Sequence, residues 1–419
     1  MHDFRMKNNR LFCEQVAMSR IAREVGTPVF VYSRKTLLDH LRKLQTAFAE
    51  RRPLICYSMK ANSSLSLCRL LVKAGAGLDI VSGGELFRAL KVGAAAKRIV
   101  YASVGKTVPE IEAAIRAGIL FFNVESVPEL ELINTIAGRL GVRQRVALRL
   151  NPDVNARTHA YISTARKQSK FGIDRDTVRE IVLKRAPQMR HVEVACLHTH
   201  IGSQIIHAGP LIRAVKKSLA LREELNRRGA RITHLNIGGG LGIIYRNEKP
   251  QTAQEYAAAI LPLLRKSDVQ LILEPGRFIV GNAGILLTSV LYMKQIPGKR
   301  FVIVDAAMND LVRPALYDAY HEVVVVNRTP GAKLQRADVV GPVCESGDFL
   351  AKDRPLPVSL RSGDALAVMG AGAYGFSMSS NYNSRCRSAE VLVAGKRYFV
   401  IRERERYHDL TRQEKIVNA

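Results

Sequence analysis

Three features of this chain carry the most chemistry: a lysine directly after an apolar run, a triple glycine, and a glutamate heading a Glu-Pro-Gly-Arg segment. Lys60 closes LICYSMK (54–60). An amine at the end of a buried strand is partly desolvated, which lowers its pKa and makes it nucleophilic. A lysine that condenses with a carbonyl needs that property. Without further context such a lysine reads as a snorkelling side chain. GGGLG (238–242) allows backbone N–H groups to approach an anion closely. A bare triple glycine is more often a tight turn, and its place in the strand order decides between the two. Ser203 offers a hydroxyl for the same anion. Glu274 is a candidate acidic partner for a protonated ring nitrogen; the plain alternative is a cap, or a salt bridge with Arg277. His200 is either a structural histidine or one that lies flat against a ring. A nucleophilic amine, an anion-binding glycine turn and an acid on one rim point to a phosphorylated aldehyde cofactor, pyridoxal phosphate.

The elements that would position these groups are short apolar runs alternating with amphipathic stretches. The runs are LICYSM (54–59), LDIV (78–81), RIVYA (98–102), ILFFNV (119–124), RVALRL (145–150), VEVACLH (192–198), THLNI (233–237) and VQLIL (269–273). They are rich in Val, Ile and Leu and lack polar alternation, as strands buried on both faces do. Between them lie helical patterns such as 64–75, 108–118 and 208–229, with Gly75, Gly118 and Gly229 as stop signals. Eight such units predict an α/β fold, a (β/α)8 TIM barrel over residues 35–280. A doubly wound open sheet is the second choice. After residue 280 helical patterns become scarce, and β runs punctuated by Gly and Pro predict a C-terminal antiparallel β domain, a barrel or a sandwich. TPVFVYS (27–33) is a strand that can join it, so the second domain comprises 1–34 and 281–419.

Barrel chemistry sits at the C-terminal strand ends. Read in order, those ends carry Lys60; Asp79 with Glu85; Asn123 and Glu125; Arg149 and Asn151; His198, His200 and Ser203; Gly238, Gly239 and Gly240; and Glu274, Pro275, Gly276 and Arg277. Polar or glycine-rich ends on nearly every strand are hard to explain as packing. The glycine turn follows strand seven, where barrels often hold phosphate, and this favours the anion reading. The 22 residues 152–173 after strand five form a long loop, expected to act as a lid.

Composition sets outer limits. With 419 residues, 47% hydrophobic and 24% charged, the chain can build two cores. No apolar run reaches the ~20 residues needed to cross a bilayer, and the N-terminus lacks the apolar centre of a signal peptide. The expectation is a cytoplasmic protein with no membrane partner. The six cysteines form no CxxC pair and no zinc spacing, so free thiols and no metal are expected. The net charge of +27 raises nucleic-acid binding as a class. The basic residues are scattered and form no arm, however, so a solvated surface is preferred and no nucleic-acid partner is expected. The charge itself stays unexplained.

YSMKANSS (57–64), HTHIGSQ (198–204), GGGLG (238–242), EPGRFIV (274–280), VDAAMNDLVRPALYDAYH (304–321), GPVCESGDFL (341–350) and GAYGFSMSSNYNSR (372–385) resemble, in that order, the motifs of the fold-type III pyridoxal-phosphate decarboxylases. Within that family they are most similar to the bacterial enzymes that act on diaminopimelate. The resemblance runs nearly end to end.

It implies that Lys60 holds pyridoxal 5'-phosphate covalently, and that Asp79, Arg149, His200, Ser203, Gly239, Gly240, Glu274, Pro275, Gly276, Arg277 and Tyr374 bind the cofactor. It implies that Arg277, Arg313, Tyr317, Glu345 and Tyr374 bind substrate and that Cys344 is the general acid. It also implies a homodimer with shared sites, in which Cys344 and Glu345 reach the partner's lysine. The residue types suit this chemistry. A thiol with pKa near ~8.5 is protonated at neutral pH and can donate. Arginines grip a second carboxylate and Glu345 grips an ammonium. A diamine precursor lacking that carboxylate would leave an arginine unpaired. Met59 stands where a smaller apolar residue is expected. The alternatives are a decarboxylase of arginine, ornithine or lysine, or a cofactor-binding regulator without catalysis. The presence of both Lys60 and Cys344 argues against the latter.

Overall fold

The computed structural model describes residues 2–154 and 170–417. The expected lid at 152–173 therefore falls mostly outside the described residues. The chain divides into two compact units: Leu38–Ile243 with Lys249–Ile279, and Met1–Leu37 with Ile244–Glu248 and Val280–Ala419.

The second of these begins with a small antiparallel sheet of β1 (Phe4–Lys7), β2 (Arg10–Cys13) and β3 (Val16–Ala17). Asn8 and Asn9 join β1 to β2 with φ of 46° and 61°. Two successive left-handed residues make the tight turn whose twist suits a hairpin, and Asn tolerates that conformation. β4 (Val29–Ser33) follows, apolar and fully buried.

The barrel unit comprises β5 (Leu54–Ser58), β6 (Gly77–Ile80), β7 (Ile99–Tyr101), β8 (Phe121–Val124), β9 (Gln144–Arg149), β10 (Val192–His198), β11 (His234–Asn236) and β12 (Gln270–Leu273). All eight pair in parallel, and β12 returns to β5 through Ile272 opposite Leu54, closing the cylinder. Its inner apolar cluster is Cys56, Val100, Phe121, Ala147, Ala195, Cys196 and Ile272. The helices between strands end where glycine permits a left-handed cap, as at Gly118 (φ 72°) after Val108–Ala117. The closed barrel holds as expected, and the open sheet is ruled out.

The β-rich unit continues with β13 (Gly284–Ile296), β14 (Lys299–Val304), β15 (Val323–Val325), β16 (Leu334–Val340), β17 (Phe349–Pro357), β18 (Ala365–Val368), β19 (Ala389–Ala394) and β20 (Arg397–Arg402). The sheet runs β17-β16-β14-β13-β4-β19-β20, with β15 and β18 attached to β13 through β18. β4 does join this sheet, between β13 and β19. The sheet is mostly antiparallel, with a correction: β14 runs parallel to β16, and β4 parallel to β19. β4 enters from the far end of the chain, so no hairpin dictates its direction. The core of this unit gathers Val29, Val31, Ile285, Leu287, Ala367, Val391 and Val393, and the N-terminal sheet adds Phe4, Leu11 and Val16.

Candidate active site

The barrel strands deliver polar side chains to one end of the cylinder. β5 ends at Ser58, and a single 3-10 turn, Met59–Ala61, presents Lys60. Lys60 Nζ donates to Asp79 Oδ2 at 3.1 Å, and Ser58 Oγ donates to the same oxygen at 2.5 Å. The Lys60 side chain is 40% exposed while that of Asp79 is fully buried. Burial raises the Asp79 carboxyl above its ordinary range and Glu274 adds to this, against the pull of Lys60 and Ser58. Asp79 Oδ1 has no partner among the described residues.

Glu274 follows β12 and is held from three other strands. Asn123 Nδ2 (β8) and Asn236 Nδ2 (β11) donate to Oε1 at 2.8 and 2.6 Å, and His198 Nε2 (β10) lies 3.1 Å from Oε2. Burial would raise this carboxyl, but His198, Lys60 and Asn236 outweigh it and hold Glu274 well below its usual range. The carboxylate is thus ionised and aimed, which is what a protonated ring nitrogen requires. It does not pair with Arg277, whose Nε instead donates to Ser203 Oγ at 3.1 Å.

Arg149, at the end of β9, pairs with Glu125 at 2.5 Å, and Glu125 also accepts the Gly172 amide at 3.0 Å. His200 Nδ1 accepts the Gly239 amide at 3.2 Å. Burial, then Arg149 and Lys60, hold His200 well below 6.5, so its ring is neutral. A neutral imidazole suits stacking against a ring better than a cation that would seek water.

The glycine turn leaves no room for side chains. A Cβ on Gly239 would sit 2.2 Å from the Glu274 carbonyl oxygen, and one on Gly240 would sit 2.8 Å from that of Gly202. Gly238 and Gly240 have φ of 67° and 106°. Pro275 O accepts the Ser58 amide at 3.0 Å, and Gly276 packs against Ser58 and Ala61, locking the last strand end to the first. Amine, carboxylate, flat neutral imidazole and bare glycine backbone form a donor set that fits pyridoxal phosphate.

The β-rich unit holds the other expected residues. Arg313 is buried at the start of the short helix Arg313–Tyr317. Its Nη1 contacts Tyr245 Oη at 3.0 Å and His321 Nε2 at 3.1 Å. Tyr374 adopts φ 57°, a conformation uncommon for a bulky residue. Cys344 and Glu345 lie together, both exposed, in the connection from β16 to β17. All six cysteines are free, as expected.

Sequence reasoning missed Ser58, Asn236, Tyr245 and His321, and did not connect Asn123 and His198 to Glu274. The available signal was polarity inside buried strands: Asn123 and Asn236 interrupt apolar runs, and a buried amide needs partners.

Residues 34–281 match the family described as pyridoxal-dependent decarboxylase, pyridoxal binding domain. The diaminopimelate decarboxylase of Pseudomonas aeruginosa is 48% identical over 417 residues, 100% of each chain. A crystal structure of diaminopimelate decarboxylase from Helicobacter pylori complexed with L-lysine superposes with a TM-score of 0.91 at 43% identity, over 94% of this chain and 98% of that one. One from M. jannaschii gives 0.93 at 39%, over 99% and 98%. No described helix is long and apolar enough to cross a membrane. On barrel, site and kinship together, this chain belongs to the pyridoxal-dependent decarboxylase family and, within it, to the diaminopimelate decarboxylases.

Proposed function

We propose that the protein decarboxylates meso-2,6-diaminopimelate to L-lysine and CO2, the last step of lysine biosynthesis, with the residues above in the following roles. The observation that carries the reading is the barrel mouth, where Lys60 on Asp79 shares one rim with Glu274, held by Asn123, Asn236 and His198. Bound pyridoxal phosphate supplies an aldehyde that takes up amines and a protonated ring that withdraws electrons. Lys60 holds it covalently, and Asp79 keeps that amine in place. Glu274 holds the proton on the ring nitrogen. His200 lies against the ring face. The backbone of Gly239 and Gly240, with Ser203 and Tyr374, receives the phosphate, and Arg149, Pro275, Gly276 and Arg277 complete the pocket wall.

Arg277, Arg313, Tyr317, Glu345 and Tyr374 bind the substrate. A guanidinium can grip the carboxylate that stays on the product, and Glu345 its ammonium. Cys344 Sγ–H gives its proton to the carbon that loses CO2. The reaction is cytoplasmic and runs in a homodimer that shares its sites. In support, Cys344 and Glu345 are exposed on the single chain, as side chains that serve a partner's site would be.

The test is CO2 release measured across diaminopimelate, lysine, arginine and ornithine, on protein whose cofactor borohydride fixes to Lys60. Turnover of diaminopimelate alone is expected. Faster release from arginine or ornithine would overturn the substrate, and no release by loaded protein would make the chain a cofactor-binding regulator.

A further inference from the structure

We propose that Asn383 is the positioning residue of the Cys344 thiol. Its side-chain carbonyl ties down the backbone from which that thiol projects. The inference rests on the reading of Cys344 as the proton donor.

The connection between β16 and β17 leaves the core at Cys344. Val343 is buried, and residues 344 to 347 are all exposed. Within the single chain, apolar packing does not order them. Two successive amides are instead taken by side chains. Val343 N–H donates to Asp348 Oδ2 at 2.9 Å, and Cys344 N–H donates to Asn383 Oδ1 at 2.7 Å. Asp348 belongs to the same connection; Asn383 belongs to a different one, distant in sequence. Tyr382, next to it, points its hydroxyl at Glu345 Oε2 at 3.5 Å. One dipeptide thus faces both the proposed acid and the proposed ammonium partner.

Asn383 has φ 56° and ψ 30°, and Ser384 follows at φ 53°. Glycine is the ordinary choice for that conformation, and a side chain there carries strain. Asn is tolerated, and unlike glycine it brings an acceptor, which the Cys344 amide uses. The turn itself is fixed. Asn381 Nδ2 donates to Glu405 Oε2 at 2.6 Å and to Arg385 O at 3.0 Å, Arg385 Nη2 donates to Asp305 O at 3.1 Å, and the Ser380 amide donates to Asn309 O at 2.9 Å. This anchored turn therefore fixes the Cys344 amide through one hydrogen bond, while the bonds the connection makes with itself, Val343 N–H to Asp348 Oδ2 and Glu345 N–H to Val343 O, do not involve that amide.

Position matters because the proton has two destinations. The electron pair left when the C–CO2 bond breaks can take the proton from Sγ–H at the substrate carbon, the sulfur keeping its bonding pair, and lysine results. If the thiol were displaced, the proton would go to the cofactor carbon instead. Water would then cleave the C=N bond, giving its oxygen to the substrate carbon as an aldehyde and leaving nitrogen on the cofactor as an inactive amine. The share of turnovers ending that way reports thiol placement, not folding.

The experiment compares the holoenzyme with Asn383→Gly, which suits the backbone and deletes the acceptor, and Asn383→Asp, which restores it. A displacement of about 1 Å costs on the order of 100-fold in rate. Asn383→Gly is therefore expected to lower kcat by roughly 10- to 100-fold with KM nearly constant, and to raise the amine-form fraction of the cofactor; Asn383→Asp should return both towards wild type. In a Cys344→Ala background Asn383→Gly should add no further loss, because the two act as one unit. Independently of activity, amide exchange across 341–349 should show one proton losing protection in Asn383→Gly. Unchanged exchange, a wild-type product ratio in Asn383→Gly, equal behaviour of the Gly and Asp variants, or additive losses with Cys344→Ala would each overturn the proposal. If wild-type protein releases no CO2 from diaminopimelate, the proposed function fails by itself, and exchange still decides whether Asn383 anchors the loop.

Discussion

Replacing Glu274 by Gln removes one charge and almost nothing else. A glutamine oxygen in the place of Oε1 keeps both asparagine bonds, at 2.8 and 2.6 Å. Its NH2 then faces His198 Nε2, which must become the acceptor. His198 Nδ1 has no partner among the described residues, so it can carry the ring proton instead. The fold should survive with a loss of about 1.5–3 kcal/mol, the usual worth of a hydrogen bond to a charged group. Catalysis should suffer more, because the carboxylate is preorganised where positive charge must persist. Deleting one such group costs about 2.7–4 kcal/mol of barrier. At about 1.36 kcal/mol per decade, that is a fall in kcat of two to three decades. The assay is steady-state CO2 release from diaminopimelate, normalised to cofactor fixed by borohydride. A folded, fully loaded Glu274→Gln protein within fivefold of wild type would show that the carboxylate serves only His198 and the asparagines.

Three further outcomes are expected. Burial pushes Glu85 from 4.5 up to about 7. Between those values the folded chain keeps a proton that the unfolded chain has released, so stability falls as pH rises through that window. Glu85→Gln should therefore be more stable than wild type at pH 8, by at most about 3.4 kcal/mol at 1.36 kcal/mol per pKa step, and no different at pH 4, as read by thermal melts; a pH-independent difference refutes this. Gly239→Ala forces a methyl to within 2.2 Å of the Glu274 carbonyl oxygen, which should cost about 1–3 kcal/mol of stability and weaken cofactor uptake. Thermal melts and cofactor titration check it, and unchanged affinity refutes the cradle. Cys344→Ala should keep the cofactor on Lys60 while losing about 10²–10⁴ in kcat, the range of a general acid; normal turnover removes Cys344 from that role.

Legibility in the sequence followed local physics. All eight barrel strands were readable because each is a short apolar run, with stop glycines such as Gly75, Gly118 and Gly229 closing helical stretches between them, and the strand ends pointed to Lys60, Asp79 and Glu274. The N-terminal sheet was overlooked, although Asn8 and Asn9 carry its turn signal, because three strands of two to four residues give no periodicity. β17 was overlooked because Pro355 and Pro357 argue against a strand. It is an edge strand, where proline is tolerated. The parallel entry of β4 was illegible, since nothing local to residues 29–33 specifies a partner some 360 residues away. The holders of Glu274 were hidden for the same reason: Asn123, Asn236 and His198 meet only once the cylinder closes.

That closure explains why the mouth is polar at all. Side chains two apart on a strand share a face, and here one inward position is mostly apolar or small while the next is mostly polar: Cys56 then Ser58, Gly77 then Asp79, Phe121 then Asn123, Ala147 then Arg149, Cys196 then His198, Ile272 then Glu274. The same end adds a buried lysine, Lys106, tied to Glu129 at 2.5 Å and lowered in pKa chiefly by its burial. Apolar residues at these positions would stabilise the barrel as well or better, because buried ion pairs barely recover their desolvation. A chain that concentrates Lys60–Asp79, Arg149–Glu125 and Lys106–Glu129 at one mouth, beside the His198–Glu274 hydrogen bond, gains little stability from doing so. What it gains is a fixed field around one amine. Charges already paired and hydrogen-bonded do not have to reorganise when a substrate's own charge changes, and that is the condition under which a buried carboxylate can hold a ring proton through every turnover.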